Sequence, residues 1–486
     1  MHKICNPYTM SGNHLKILYF FLFLSVLQIH PVHSQETWDW KKCIDYALQN
    51  NLQLKQSDLN IDLQQVNLKQ YKYNFTPNIS ASTNYNLRFG NNYDFYTSQY
   101  KKQAINYQDY SLNIVQPVFD GLAYKHNIEK TNIDIQTLKL DEEVLKTNIQ
   151  LQILMAFLNI MNAQEQLTQA QNQYAQSQEQ YQQVKDMIEA GTSAEKNLVD
   201  VEAQLTNEDL AISQVNNQLM LAYLNLKQIM QLDLSKDIKI KTPQLPDDIV
   251  IAAPAALGNI YQAALGIRPE IKSAELKIES SKKAVDIAKT SFYPTLKFVS
   301  NINTFMSTQN KNTQQYLTGN TTAVGFVEGT FQRVLIPESG YKQSKIPYFK
   351  QLNQNLNYAL GLSLDIPIFS QYRVQTSIKQ AQLQTKVASF QKQMEEQTLY
   401  NTIAQAYLKT LASIDNYHAA KKNFETAQKS YEYAMERWDA GMINLLETNI
   451  AKTNLLNAES KFIQTKYEYL FNSKVLDFYQ GKKIEL

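Results

Sequence analysis

Cysteine is nearly absent from the chain, which holds Cys5 and Cys43 and no other. Cys5 belongs to residues 1–34, whose first 16 residues carry Lys3, Lys16 and no acid and are followed by an apolar run from Ile17 to Ile29. A charged start, a short apolar core and the small residue closing Val32-His33-Ser34 describe a secretory signal peptide. Cys5 precedes the apolar core, where a lipid-attachment cysteine would not sit. Its removal leaves Cys43 alone, so no internal disulfide can hold the fold and packing or assembly must do so.

Other chemistry is missing too. Beyond residue 34 the only histidines are His126 and His418, and with one cysteine they offer no zinc-ligand spacing. There is no GxxxxGK[ST], no GxGxxG and no serine nucleophile elbow. An enzyme is therefore not expected, nor a cofactor, a metal or any energy-coupling chemistry. Losing residues 1–34 removes two lysines and no acid, which leaves 45 basic against 45 acidic residues. A near-neutral chain lacks the clustered positive charge that nucleic acid requires. No run of about 18 consecutive apolar residues follows the signal segment, so no transmembrane helix is expected. Membrane entry would have to be by a closed β-barrel, because open strand edges are not tolerated in lipid.

Helix breakers are missing over two long stretches. Val118 to Thr242 contains no proline and only Gly121 and Gly191; Ile368 to Leu486 contains no proline and only Gly441 and Gly481. Ala123 to Ala190 is then one helix of about 100 Å at 1.5 Å per residue, and Gln371 to Ala440 a second. Each turns back at its glycine, giving two antiparallel helical hairpins of coiled-coil character. Residues 162–183 are crowded with Gln, Asn and Ala. That composition suits both a solvated coiled coil and the wall of a water-filled tube.

What is present is a duplication. Leu48, Leu59, Ile61, Phe75 and Pro77 recur at an offset of 217 as Leu265, Leu276, Ile278, Phe292 and Pro294. Leu112, Pro117, Phe119 and Ile128 recur at an offset of 250 as Leu362, Pro367, Phe369 and Ile378. The change of offset places a 33-residue insertion between Pro294 and Pro367. Two repeats, 35–245 and 246–486, meet at a linker containing Thr242-Pro243, Leu245-Pro246 and Ala253-Pro254. Each reads helix, strand pair, long helix, turn, helix. The strand pairs fall at 79–119 and at 295–369, the second holding a long loop, about 306–345, expected to be plain and exposed.

The strands alternate. Ile79, Ala81, Tyr85 and Leu87 face one way and Ser80, Ser82, Asn84, Asn86 and Arg88 the other; Tyr358, Leu360, Leu362 and Leu364 alternate with Ala359, Gly361 and Ser363. Such segments fit an outer-membrane barrel strand and equally a soluble sheet with one wet face. The aromatic connection Tyr93, Phe95, Tyr96, Tyr100, Tyr107 and Tyr110 suits an interfacial girdle and favours the membrane. Four strands cannot close a barrel, since the smallest membrane barrels need about eight, so an oligomer is required and two copies or three would serve.

In their order and spacing these features resemble the TolC family of outer-membrane efflux proteins. The resemblance covers both halves and rests on Ala47-Leu48…Asn51, the run Leu-Asn-Ile-Val-Gln-Pro-Val-Phe-Asp-Gly at 112–121, and Leu-Ser-Leu-Asp-Ile-Pro-Ile-Phe-Ser at 362–370. Arg268-Pro269-Glu270, Tyr293-Pro294 and the turns Glu189-Ala190-Gly191-Thr192-Ser193 and Asp439-Ala440-Gly441-Met442-Ile443 complete it. It implies an α+β, TolC-like fold: a homotrimer with a twelve-stranded transmembrane β-barrel, four strands per chain, on a periplasmic α-barrel. It also implies a place in the outer membrane of a Gram-negative bacterium, in contact with lipid. A periplasmic adaptor would dock at the helix turns Ala190, Gly191, Thr192, Ala440, Gly441 and Met442 and couple the duct to an inner-membrane pump.

Relatives narrow the tip with acids after the second turn. The matching position is Glu447; a second falls at Ile450, a departure that weakens any ring, and the first-half counterparts are Asn197 and Asp200. Three symmetry-related carboxylates in a narrow mouth would favour cations. Against this, Asn444-Leu445-Leu446-Glu447 has capping-box spacing, as has Thr192-Ser193-Ala194-Glu195, so Glu447 could serve as a cap alone. Trp438 is expected to pack between helices. The competing class is a periplasmic coiled-coil scaffold without channel activity.

Overall fold

The computed structural model describes residues 37–94, 99–241 and 251–482. The signal segment, Phe95, Tyr96 and the Pro243 and Pro246 part of the linker lie outside them. In chain order the first elements are β1 (Thr37–Trp38), α1 (Trp40–Asn50), α2 (Leu52–Tyr73), β2 (Asn78–Asp94), β3 (Gln99–Phe119), α3 (Ala123–Glu189), α4 (Glu195–Met230) and β4 (Lys239–Ile240). Then come α5 (Leu257–Ile267), α6 (Pro269–Thr290), β5 (Thr295–Ser307), β6 (Lys311–Phe326), β7 (Arg333–Lys345), α7 (Tyr348–Gln354), β8 (Asn357–Asp365), α8 (Arg373–Asp439) and α9 (Leu445–Tyr479). Contacts gather these into two compact units, one within Met1–Lys55, Val144–Ile267 and Tyr400–Leu486, the other within Gln56–Glu143 and Arg268–Leu399. Each unit draws on both sequence repeats.

The second unit carries a four-stranded antiparallel sheet in the order β2-β3-β5-β8. Its register turns the period-two pattern into whole rows. Ala81, Leu112, Ile302 and Tyr358 stand side by side across the four strands, and the next row inward on the opposite face is Ser80, Asn113, Asn301 and Ala359. The polar face is bonded to itself. The Ser82 and Ser111 hydroxyls lie 2.7 Å apart, Asn84 Nδ2 donates to Asp109 at 3.0 Å, and Asn303 Nδ2 donates to Asn301 Oδ1 at 2.7 Å. The apolar face lacks such cover: Ile79, Leu360, Leu362 and Leu364 are all exposed.

The segment expected to be a plain loop is structured. Residues 311–326 and 333–345 pair as an antiparallel β6–β7 hairpin, a separate two-stranded sheet. Its Asn, Thr, Gln and Gly content masks the strand pattern, because those residues also make up ordinary loops. After it, α7 completes the edge of β5 where β8 stops. Gln351 Oε1 accepts from the Ser307 N–H at 3.0 Å, the Leu352 carbonyl accepts from the Thr304 hydroxyl at 2.6 Å, and Asn355 Nδ2 donates to the Phe305 carbonyl at 2.8 Å. Beside the sheet, α6 is fastened to α3 by a polar zipper: Ser273 and Lys277 meet Asp141 at 2.5 and 3.1 Å, and Lys283 meets Glu129 at 2.8 Å. On α8, Lys392 reaches back to Glu275 of α6 at 2.9 Å.

In the first unit the core is built where α1, the middle of α3, the end of α4 and α9 converge. Ile153, Leu154, Phe157 and Ile160 of α3 meet Cys43 and Ala47 of α1, Leu226 and Met230 of α4, and Ile463 and Tyr467 of α9. A two-residue parallel pairing, Thr37 with Lys239 and Trp38 with Ile240, closes the N-terminal segment onto this core. Though no unbroken apolar run occurs, α3 does contain an 18-residue window apolar enough on average to cross a membrane; 44% of it is buried. Gln150, Gln152 and Asn159 interrupt the apolar stretch there, and Ile149–Met161 supplies core residues.

Cys43 is fully buried in this core, and burial pushes its thiol up to about 12. The thiolate is the reactive form, so a maleimide at pH 8 should leave the native protein unlabelled and label it rapidly once unfolded. Fast labelling without unfolding would contradict the core as described.

Candidate functional site: the helix-turn tips

Both long helices end in the same way. At the first tip Gly191 has φ +74°; its N–H donates to the Ile188 carbonyl at 2.9 Å, and the Thr192 N–H reaches the Met187 carbonyl at 2.8 Å. At the second, Gly441 has φ +68°, with Gly441 to Trp438 and Met442 to Arg437 both at 2.8 Å. This pair of bonds, with a left-handed residue between, is the Schellman ending, and glycine adopts that conformation without a Cβ penalty. The turn residues Ala190, Gly191, Thr192, Ala440, Gly441 and Met442 are all exposed.

The helices that return from the two tips start differently. Asn444 is the N-cap of α9, its side chain accepting from the Glu447 N–H at 2.9 Å. The Glu447 carboxylate itself is exposed in the first turn of α9, where the positive end of the helix dipole favours it. Only the Asn444 half of the capping box is formed. In the first hairpin no capping box forms: the N-cap of α4 is Ala194, without a side-chain bond. Thr192 there ends the preceding helix instead, its hydroxyl donating to the Met187 carbonyl at 2.9 Å. Asn197 and Asp200 are half-buried, Asn197 Nδ2 donating to Ser193 Oγ at 3.1 Å, while Ile450 is exposed.

Near the tips the two hairpins touch through a small apolar cluster. Val184 of α3 and Val201 of α4 are buried, with Tyr181, Ile188, Leu198 and Trp438 packed on them. Trp438 is thus a packing residue joining α8 to the first hairpin. Farther along, a buried polar network that the sequence reading missed links three helices. Ser177 Oγ donates to Glu208 Oε1 at 2.8 Å, Gln204 Nε2 donates to the same oxygen at 2.6 Å, and Lys452 Nζ donates to Ser177 Oγ at 2.9 Å. Burial pushes the Lys452 ammonium down, and Glu208 opposes that shift. The signal was there in outline: Ala170, Gln173, Ser177, Tyr181, Val184 and Ile188 recur at three- and four-residue steps along one helix face, with polar residues at two of the positions. Among the described residues no group of three or more His, Cys, Asp and Glu side chains could hold a metal ion.

Exposed tips on long hairpins, joined in one chain to a sheet with a polar and an apolar face, define a TolC-like channel fold. Comparison with known proteins agrees. Residues 43–230 and 260–482 match the family model described as outer membrane efflux protein, and the chain belongs to that family. No curated protein sequence matches it. Among solved structures it is similar to CusC, whose crystal structures concern folding and transmembrane channel formation, with TM-score 0.71, 15% identity and cover of 93% of this chain and 96% of that one. It is similar also to the Campylobacter jejuni CmeC outer membrane channel, with TM-score 0.69, 19% identity and cover of 92% and 87%. The outer membrane protein VceC of Vibrio cholerae gives TM-score 0.65, 13% identity and cover of 92% and 97%.

The unequal caps make a paired prediction. Asn444→Ala should cost about 1 kcal/mol, and Ala194→Ser should stabilise by a similar amount, read as opposite shifts of the denaturation midpoint. Shifts of the same sign would contradict the cap assignments.

Proposed function

We propose that this chain is the outer-membrane subunit of a passive export duct, assembled from three copies and coupled through a periplasmic adaptor to an inner-membrane pump. The observation that carries the reading is the sheet. One face is exposed and apolar, the other is polar and hydrogen-bonded to itself, and among the described residues no further strand pairs with the edges β2 and β8. That is the make-up of a barrel wall with lipid outside and water inside. Three antiparallel pairings make β8 antiparallel to β2, so β8 of one copy can pair antiparallel with β2 of the next and the alternation continues round a ring. Two helices also carry exposed heptad stripes, Leu59, Leu63, Val66 and Tyr73 on α2 and Leu383, Val387, Phe390 and Met394 on α8. Stripes of that spacing pair with other helices, which suits neighbouring copies. Family membership and the channel relatives support the outer-membrane location and the role in efflux.

In this reading the tips Ala190-Gly191-Thr192 and Ala440-Gly441-Met442 meet the adaptor. Three copies of Glu447 narrow the periplasmic mouth, with Asn197 and Asp200 behind them. A carboxylate ring favours cations and resists anions. Ile450 limits the ring to one acid per chain at this level.

Two measurements test the proposal. Leu360→Arg on the apolar face should cost about 2–4 kcal/mol at the bilayer midplane and block assembly in lipid, whereas Ala359→Arg on the polar face should assemble. Equal tolerance would remove the lipid-facing assignment. Purified protein in a planar bilayer under a salt gradient should give discrete cation-selective steps, and Glu447→Ala should lower that selectivity. Protein released as a soluble rod that never enters the bilayer would overturn the channel in favour of a scaffold.

A further inference from the structure

Lys452, the α9 member of the buried network, sits five residues beyond Glu447 on the same helix. Lys452 is 3% exposed and Thr448, one turn before it, 1%. These two form the buried line of the first turns of α9. At 3.6 residues per turn Glu447 lies about 100° round the helix from Thr448 and about 140° from Lys452. Whatever fixes the rotation of this buried line therefore fixes where Glu447 points.

The partners of Lys452 come from the other hairpin. Ser177, fully buried on α3, accepts from Lys452 Nζ and its hydroxyl donates to Glu208 Oε1 on α4, a residue 7% exposed. Gln204 and Gln173 add donors to the same Glu208 oxygen at 2.6 and 3.3 Å, while Glu208 Oε2 is buried without a partner. A buried carboxylate so held admits few substitutes. Rotating α9 would strand an ammonium and a carboxylate in the interior, and breaking a buried charge pair by removing one member is strongly destabilising. Apolar seams tolerate slippage that a single buried polar contact forbids.

We infer that Lys452 is a positioning residue: through Ser177 and Glu208 it fixes the rotation of α9 and aims Glu447 at the mouth. This inference rests on the duct reading and adds to it the residue that orients the selective group. It makes a prediction opposite in sign to that of simple charge. Lys452→Met deletes a positive charge, so by field effect alone it would raise cation preference. As a positioning residue its loss lowers cation preference, toward the value of Glu447→Ala. Glu208→Gln should lower it too, and Lys452→Arg, which keeps charge and donors, should restore most of it.

The experiment is the reversal potential of each full-length variant in planar bilayers under the same salt gradient, with thermal unfolding recorded in parallel. Expected are reduced cation selectivity for Lys452→Met and Glu208→Gln, no further loss when Lys452→Met is added to Glu447→Ala, and unfolding losses that are less than additive in the Lys452→Met/Glu208→Gln double variant. Raised or unchanged selectivity in Lys452→Met would overturn the positioning role. Fully additive unfolding losses would overturn the network itself. If wild type and Glu447→Ala have equal selectivity, the ring reading fails, and the unfolding cycle still decides whether the network exists.

Discussion

Every backbone N–H and C=O on a strand edge needs a partner, and in lipid water cannot supply one. That constraint governs this chain. Its sheet ends in β2, 17 residues long, and β8, nine, with no further strand on either side among the described residues. Where an edge can be finished locally the chain does so: α7 places Gln351, Leu352 and Asn355 against β5 past the end of β8. Along the pairings of the two remaining edge strands no bulge occurs among the described residues. Edges of that kind invite another chain; in the proposed duct further copies supply it, and the exposed stripes on α2 and α8 extend the same logic to the helices.

The helices solve a related problem with different means. A helix of 67 residues, such as α3 or α8, cannot be stabilised by propensity alone and needs a packed seam. Over Ile149–Met161 the seam is apolar and deep. Toward Gly191 it thins to Val184 and Val201 with Trp438 across them, and in between it becomes polar at Gln173 and Ser177. A graded seam of this kind puts hydrophobic stability in the middle of the hairpin and directional, orientation-setting contacts near the tip, where the proposed selective carboxylate sits.

Much of this was legible in the sequence for a plain physical reason: periodicity survives without knowledge of partners. Alternation at Ile79–Arg88 and Tyr358–Asp365 foretold the two faces, and the lone glycines 191 and 441 in proline-free stretches foretold the turns. The β6–β7 hairpin was not legible because Thr, Asn and Gln serve loops and strands alike. The cap at Ala194 was missed because Thr192 and Ser193 both resemble better caps; the turn spends Thr192 on ending α3. Ser177, Glu208 and Lys452 were missed because polar residues are read as surface until their partners are known, and Lys452 lies 275 residues from Ser177. The site residues Asn197, Asp200 and Glu447 owe their assignment to resemblance, and the geometry adds that Glu447 is exposed and free of the return bond a full capping box would impose.

Everything proposed for this chain depends on closure of its open sheet edges by other copies of itself. The most direct test of that closure is the native mass of the protein extracted from membranes in mild detergent. Three copies per particle, lost together with membrane insertion when Leu360→Arg is introduced, is the predicted result. A monomer that is folded, stable and soluble without detergent would contradict it.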